Sequence, residues 1–238
     1  MNTRVVTILA AFLTSSALAE QWPQYHGISS NRTTSEKIGN TDWKSKAPKK
    51  LWQANTPTGF SSIIVANGAA YTTISEEIDG IPSEVCISFN AVSGETNWKA
   101  NLDLWRVDHG GGNAGTKDNK GGDGPRTTPS YSDGKVYAYT SDMRLICLSA
   151  KDGVELWSVE VIKSHQGRNI RWDNAAAPLI EGEMVIVQGG GAGQSFLAFD
   201  KRNGKLKWKS GDYLMTHATP VASEINSKRQ ILFFMQEG

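Results

Sequence analysis

The feature that most constrains this 238-residue chain is a phrase that occurs three times. "EVCISFNAVSGETNW" ends at Trp98, "MRLICLSAKDGVELW" at Trp157 and "SFLAFDKRNGKLKW" at Trp208. Each is an apolar strand, a polar turn closing on glycine (Gly94, Gly153, Gly204), three residues and a tryptophan. Glycine takes the positive φ that tight turns between right-twisted strands demand, so each phrase predicts a hairpin with its Trp early in the returning strand. A second phrase recurs as "RTTPSYSDGKVYAY", "NAAAPLIEGEMVIV" and "THATPVASEINSKRQILFFM". Here Pro129, Pro178 and Pro220 precede a short strand, where proline removes no ladder donor, and a turn leads to a second apolar strand.

Together the phrases predict a four-stranded antiparallel unit recurring about every 40 to 60 residues, the period of propeller blades. "KVYAY", "MVIV", "FLAF" and "ILFFM" are apolar on both faces, whereas an antiparallel sheet half open to water alternates. The connections are too short and too rich in Gly and Pro to hold covering helices, so neighbouring sheets must cover one another. The expected fold is all-β, a propeller of four-stranded blades. The glycine cluster in "MVIVQGGGAGQSFLAFD", Met184 to Asp200, then reads as a reversal between two strands, where a nucleotide-binding unit would have started a helix.

The turn pattern of Ala91, Gly94 and Trp98, repeated at Ala150, Gly153 and Trp157, resembles the tryptophan-docking motif of pyrroloquinoline quinone (PQQ) repeat propellers. The opening "QWPQYHGISSNRTT", Gln21 to Thr34, is similar to the start of exported bacterial PQQ-like propellers of the BamB-like type. The resemblance runs from Trp22 to the C-terminus. The Gly-His and Trp-Asp signatures of WD40 repeats are missing. Three blades and the start of a fourth, set against the 4 to 8 of closed rings, predict a partial ring. That implies either an N-terminal fragment of a longer chain, as the resemblance suggests, or a half-ring that pairs with another chain.

The first residues carry the marks of a leader. Arg4 precedes the short apolar run Val5 to Leu13, and Ala17-Leu18-Ala19 is a small-x-small cleavage signal. The expected organisation is a signal peptide over 1–19 cleaved after Ala19, an N-terminal segment over 20–49 and blades over 50–238. The mature protein is expected to be exported, periplasmic or extracellular, with no apolar run long enough for a membrane span. A net charge of +1 excludes the electrostatic footprint of a nucleic-acid binder. Cys86 and Cys147 lie in strand-like runs and read as buried free thiols, although export permits one bridge.

Candidate chemistry is sparse. The loop His109 to Arg126 contains a literal G-x-G-x-x-G at Gly110, Gly112 and Gly115, without the flanking strand and helix that a dinucleotide site requires. Asp108, His109, Asp118 and Asp123 match no Ca²⁺-loop spacing, and the four histidines fall in loops with no zinc spacing, so no metal site is expected. The resemblance implies that segments leading into each blade's first strand converge on a central channel. It places Arg126, Asn174 and His217 at the channel mouth as ligand-binding candidates, with Asp173 beside Trp172. Gly94, Gly153, Gly204, Trp98, Trp157 and Trp208 are structural docking residues, and no catalytic residue can be named. The leading expectation is a non-catalytic scaffold without a cofactor, binding proteins, peptides or a cell-envelope ligand. The alternative that the resemblance implies is a PQQ-dependent alcohol or sugar dehydrogenase using PQQ with Ca²⁺.

Overall fold

The structure, a computed structural model, describes residues 21–105 and 124–237. Three four-stranded antiparallel sheets follow one another along the chain, each with its strands in sequence order. The first holds β1 (Ile64–Ala66), β2 (Ala69–Ile78), β3 (Ile81–Asn90) and β4 (Thr96–Leu104). The second holds β5 (Ser130–Ser132), β6 (Lys135–Tyr139), β7 (Arg144–Ser149) and β8 (Glu155–Glu160). After a one-turn helix α1 (Val161–His165), the third holds β9 (Leu179–Glu181), β10 (Met184–Gln188), β11 (Phe196–Asp200) and β12 (Leu206–Ser210). A two-stranded sheet of β13 (Val221–Ile225) and β14 (Lys228–Leu232) comes last.

The repeated phrase folds three times in the same way. Gly94, Gly153 and Gly204 have φ of +76°, +75° and +70°. Their amides bond back to the carbonyls of Asn90, Ser149 and Asp200 at 2.9, 2.8 and 2.9 Å, so five residues join each strand pair. In each of the three four-stranded sheets the pairing register slips by one residue beside the position facing the tryptophan, between Ser88 and Phe89, Cys147 and Leu148, and Ala198 and Phe199. A bulge there twists the outer strand and re-aims the Trp side chain.

That aim carries Trp98 and Trp157 onto the next sheet's hairpin, away from their own, and Trp52 sits on the first sheet's hairpin in the same way. A Cβ placed on Gly94 would stand 2.6 Å from the Trp52 ring, on Gly153 2.7 Å from Trp98, and on Gly204 2.6 Å from Trp157. Glycine is required at these turns twice over, for the positive φ and for the ring above it. Trp52 Nε1 donates to Ala91 O and Trp98 Nε1 to Ala150 O, both at 3.0 Å. The third docking departs from the pattern. Lys201 O, the matching acceptor, is taken by the Tyr137 hydroxyl at 2.9 Å, and Trp157 Nε1 is buried without a partner.

The core therefore lies between blades. Ile64, Tyr71, Cys86, Trp98 and Leu102 of the first sheet pack on Val136, Ala138, Ile146 and Leu148 of the second. Tyr137, Tyr139, Leu145 and Cys147 of the second meet Val185, Val187, Leu197 and Phe199 of the third. Cys86 and Cys147 are buried free thiols, both pushed up to about 12 by burial, and so carry no thiolate character.

Residues 22–24 run across the innermost strands. Trp22 exchanges both backbone hydrogen bonds with Val65, Pro23 O accepts from Tyr131 N at 2.7 Å, and the Gln24 side chain accepts from Ile180 N at 3.2 Å. This strap satisfies two edge groups of β1 and one each of β5 and β9 that would otherwise be unpaired. Two expectations need correction. "ILFFM" is not wholly strand, because β14 ends at Leu232, leaving Phe234 exposed and Met235 buried beyond it. His165 is not in a loop and closes α1.

Candidate functional site

The segments preceding β1, β5, β9 and β13 are laced to one another by side chains. Ser62 N donates to Thr128 Oγ1 and Ala177 N to Thr219 Oγ1, both at 3.0 Å, so the residue before Pro129 and the residue before Pro220 each hold the preceding blade. Thr73 Oγ1 donates to Thr127 O at 2.7 Å, and Gln188 Nε2 makes the equivalent bond to Ala218 O. Most polar groups along these segments are therefore spent on holding blades in place, which narrows the set left for a ligand.

Asn174 belongs to the lacing. It is 1% exposed, its Nδ2 donates to Tyr139 O, Thr140 O and Ala176 O at 3.2 to 3.4 Å, and its Oδ1 accepts from Ala176 N at 3.0 Å. A side chain so committed positions the segment and has both its amide atoms engaged. Asp173, with φ of +62°, contributes its backbone. Its carbonyl accepts from His217 Nε2 at 3.0 Å, which fixes the tautomer and leaves Nδ1 as an acceptor.

Arg126 lies near enough for its charge to act on His217, and its guanidinium carbon is 5.7 Å from the centroid of the Phe60 ring. Phe60, 47% exposed, occupies the place three residues before Ile63 that Arg126 holds before Pro129 and His217 before Pro220. The structure thus brings Phe60, Arg126 and His217 together from three blades, with Asp173 beneath His217. The repeat alignment could have found Phe60, but its phrase has Ile63 where the others have proline.

Desolvation lowers the His217 pKa from 6.5; the Asp173 carbonyl opposes this and the Arg126 charge adds to it. The ring is therefore neutral at pH 7. Titrated by NMR, His217 should show a midpoint below 6.5, and Arg126→Gln should raise it. An unchanged midpoint in that variant would separate the two residues. Asp108, His109, Asp118, Asp123 and the glycines from Gly110 to Gly115 lie outside the described residues. Among the described residues no three His, Cys, Asp or Glu gather as a metal would require, and no helix is long and apolar enough to cross a membrane.

Sequence reading missed Glu84 altogether. It is 0% exposed on β3; Oε2 accepts from Ser141 N at 3.0 Å, while Oε1 and the nearby Ser141 Oγ are buried without partners. Burial, opposed by the Ser141 hydrogen bond and reinforced by Asp103 and Asp142, pushes its carboxyl up to about 7. The available signal was a charged residue opening the largely apolar strand "EVCISF".

Comparison with known proteins follows the same lines. The dehydrogenase subunit of the quinone alcohol dehydrogenase of Komagataeibacter europaeus is 40% identical over 86 residues, 34% of this chain and 12% of its own length. That of Gluconobacter oxydans (strain 621H) is 40% identical over 113 residues, 39% of this chain and 15% of its own. The matches thus span 12 to 15% of these relatives' length. The quinohemoprotein alcohol dehydrogenase of Comamonas testosteroni superposes with a TM-score of 0.58 at 22% identity, over 79% of this chain and 27% of that one, which shows a shared fold. A family model described as outer membrane protein assembly factor BamB (PQQ_2) matches residues 82–238. With the blade repeat and its docked tryptophans in place, the chain belongs to this PQQ-repeat β-propeller family.

Proposed function

We propose that the protein is an exported, non-catalytic binding or assembly scaffold of the cell envelope, with its contact surface at the channel mouth. The observation that supports this reading most directly is the convergence of Phe60, Arg126 and His217 on a framework whose other polar side chains are consumed in lacing blades together. An aromatic face, a fixed cation and a neutral imidazole with a free acceptor suit recognition of a partly polar partner, a protein or peptide segment or an envelope ligand. The family description, outer membrane protein assembly factor, supports the same class of role. The proposal includes the leader over 1–19, the N-terminal segment over 20–49 and the blades over 50–238.

A second reading, a PQQ-dependent alcohol or sugar dehydrogenase, draws on the 40% identity to quinone alcohol dehydrogenase subunits. PQQ chemistry with Ca²⁺ needs a shell of about six to eight oxygens around the ion. Among the described residues Asn174 is committed to backbone groups and no three His, Cys, Asp or Glu gather, while Asp108, Asp118 and Asp123 lie outside them. The test is to add PQQ and Ca²⁺ to the protein and follow alcohol-dependent dye reduction. The scaffold reading expects no turnover above the cofactor-free control, and turnover that Arg126→Ala abolishes would replace it with the dehydrogenase.

A further inference from the structure

Outward from the channel mouth, the loop between α1 and β9 meets the segment leading to β13 around a cavity of about 210 Å³. Arg168, Arg171 and Trp172 line one side, and Leu214, Met215 and Gln236 the other. The loop is held in place from behind. Arg168 N donates to Gly189 O at 2.8 Å, Asn169 Nδ2 to Ser141 O at 2.8 Å, and Asp173 N to Ile170 O at 3.1 Å. The glycine turn lets it sit this close, since a Cβ on Gly190 would stand 2.3 Å from Arg168 O.

What this fixed loop presents is unspent. Neither the Arg168 nor the Arg171 guanidinium has a hydrogen-bond or ion-pair partner among the described residues; Arg171 lies only against the Trp172 ring, 6.0 Å from its centroid. Trp172 is 44% exposed. The acids on the adjoining segments are turned to backbone amides, Asp212 to Gly193 N at 2.7 Å and Glu237 to Leu214 N at 3.3 Å. Two solvent-exposed guanidiniums with no partner among the described residues, beside an open indole face, favour a planar oxyanion, which takes paired N–H donors, joined to a ring that stacks on the tryptophan. A volume of about 210 Å³ admits one six-membered ring with its substituent and little more.

We propose that this cavity, at the seam between the third and fourth sheets, binds a small ring-bearing carboxylate, an aromatic or a sugar acid, through Arg168, Arg171 and Trp172. The site is separate from the channel-mouth scaffold reading and does not depend on it. Benzoate and galacturonate are titrated into the protein at low salt by calorimetry, with benzamide, galactose and acetate as controls. At least one ring acid should bind with a dissociation constant below about 1 mM. Arg168→Gln/Arg171→Gln should weaken it by about tenfold or more. Trp172→Ala should weaken it as well, and roughly 0.5 M salt should do the same to the unaltered protein.

Which acid binds tells an aromatic from a sugar ring. The proposal is overturned if neither acid binds below about 10 mM, if the double variant binds equally well, or if acetate binds as tightly as the ring acids. Both arginines lack acceptors among the described residues, so the double variant should keep the thermal midpoint of the parent, and that measurement accompanies the titration.

Discussion

Trp98→Ala should lower the stability of the protein by about 3 to 5 kcal/mol, the cost of emptying a buried aromatic site. The ring is 8% exposed, lies over Gly153 of the next hairpin and is tilted against Tyr71 at 5.8 Å between centroids. Truncation leaves a hole in the seam between the first two blades and strips Ala150 O of its 3.0 Å donor. For a chain of this size the melting temperature should fall by roughly 10 °C, at about 2 to 4 °C per kcal/mol. Trp157→Phe provides an internal comparison. Trp157 Nε1 has no hydrogen-bond partner, while Lys201 O accepts from the Tyr137 hydroxyl, so this variant should cost less than Trp98→Phe, which gives up a hydrogen bond. Denaturant midpoints of the three variants measure both points. A Trp98→Ala protein within about 1 kcal/mol of the parent would mean that docking does not hold the blades together.

Glu84→Gln should abolish a loss of stability that the parent shows on going from mildly acidic to neutral pH. The Glu84 carboxyl titrates at about 7 in the folded protein against 4.5 for an ordinary glutamate, so the folded state holds its proton more tightly than the unfolded state. The stabilisation is fully present below pH 4.5, disappears as pH rises through 7 and is absent above. A gap of this width corresponds to about 3 kcal/mol. The groups acting on the carboxyl are Ser141 and Asp142 from the turn after β6 and Asp103 from β4. Glutamine keeps the acceptor for Ser141 N and cannot ionise, so the variant should match the parent near pH 5 and exceed it at pH 8. His26, His165 and His217, all with lowered pKa values, tilt the profile the other way below 6.5. The comparison is therefore between variant and parent at each pH; a common slope in both would locate the dependence elsewhere.

Legibility followed range along the chain. The hairpins of Gly94, Gly153 and Gly204 were readable because a positive φ, a polar turn and a following strand are all encoded within a few residues. The reversal at Gly189 to Gln194 was readable for the same reason, with Gln188 paired to Phe196 across it. The candidate site was legible only in part. Arg126 lies near enough for its charge to act on His217, but Asn174, marked only by its place shortly before Pro178, bonds its own segment and the carbonyls of Tyr139 and Thr140. Position in a repeat tells where a side chain sits; its remaining hydrogen-bonding capacity depends on neighbours some 34 residues away in sequence, as with Thr140.

By itself, then, the sequence determined the blade: strand order, turn positions, tryptophans early in the returning strands and the need for both sheet faces to be covered. Those follow from backbone sterics and hydrophobic periodicity, which act over a few residues. The tertiary structure alone decided the pairing between blades. It set Trp98 onto Gly153 rather than Gly94, gave Lys201 O to the Tyr137 hydroxyl, drew residues 22–24 across three inner strands, and closed a carboxyl, Glu84, between two sheets. Each of these is a competition among groups distant in the chain for the same space or the same lone pair. Its outcome depends on how the blades stack, which no single phrase of the repeat contains.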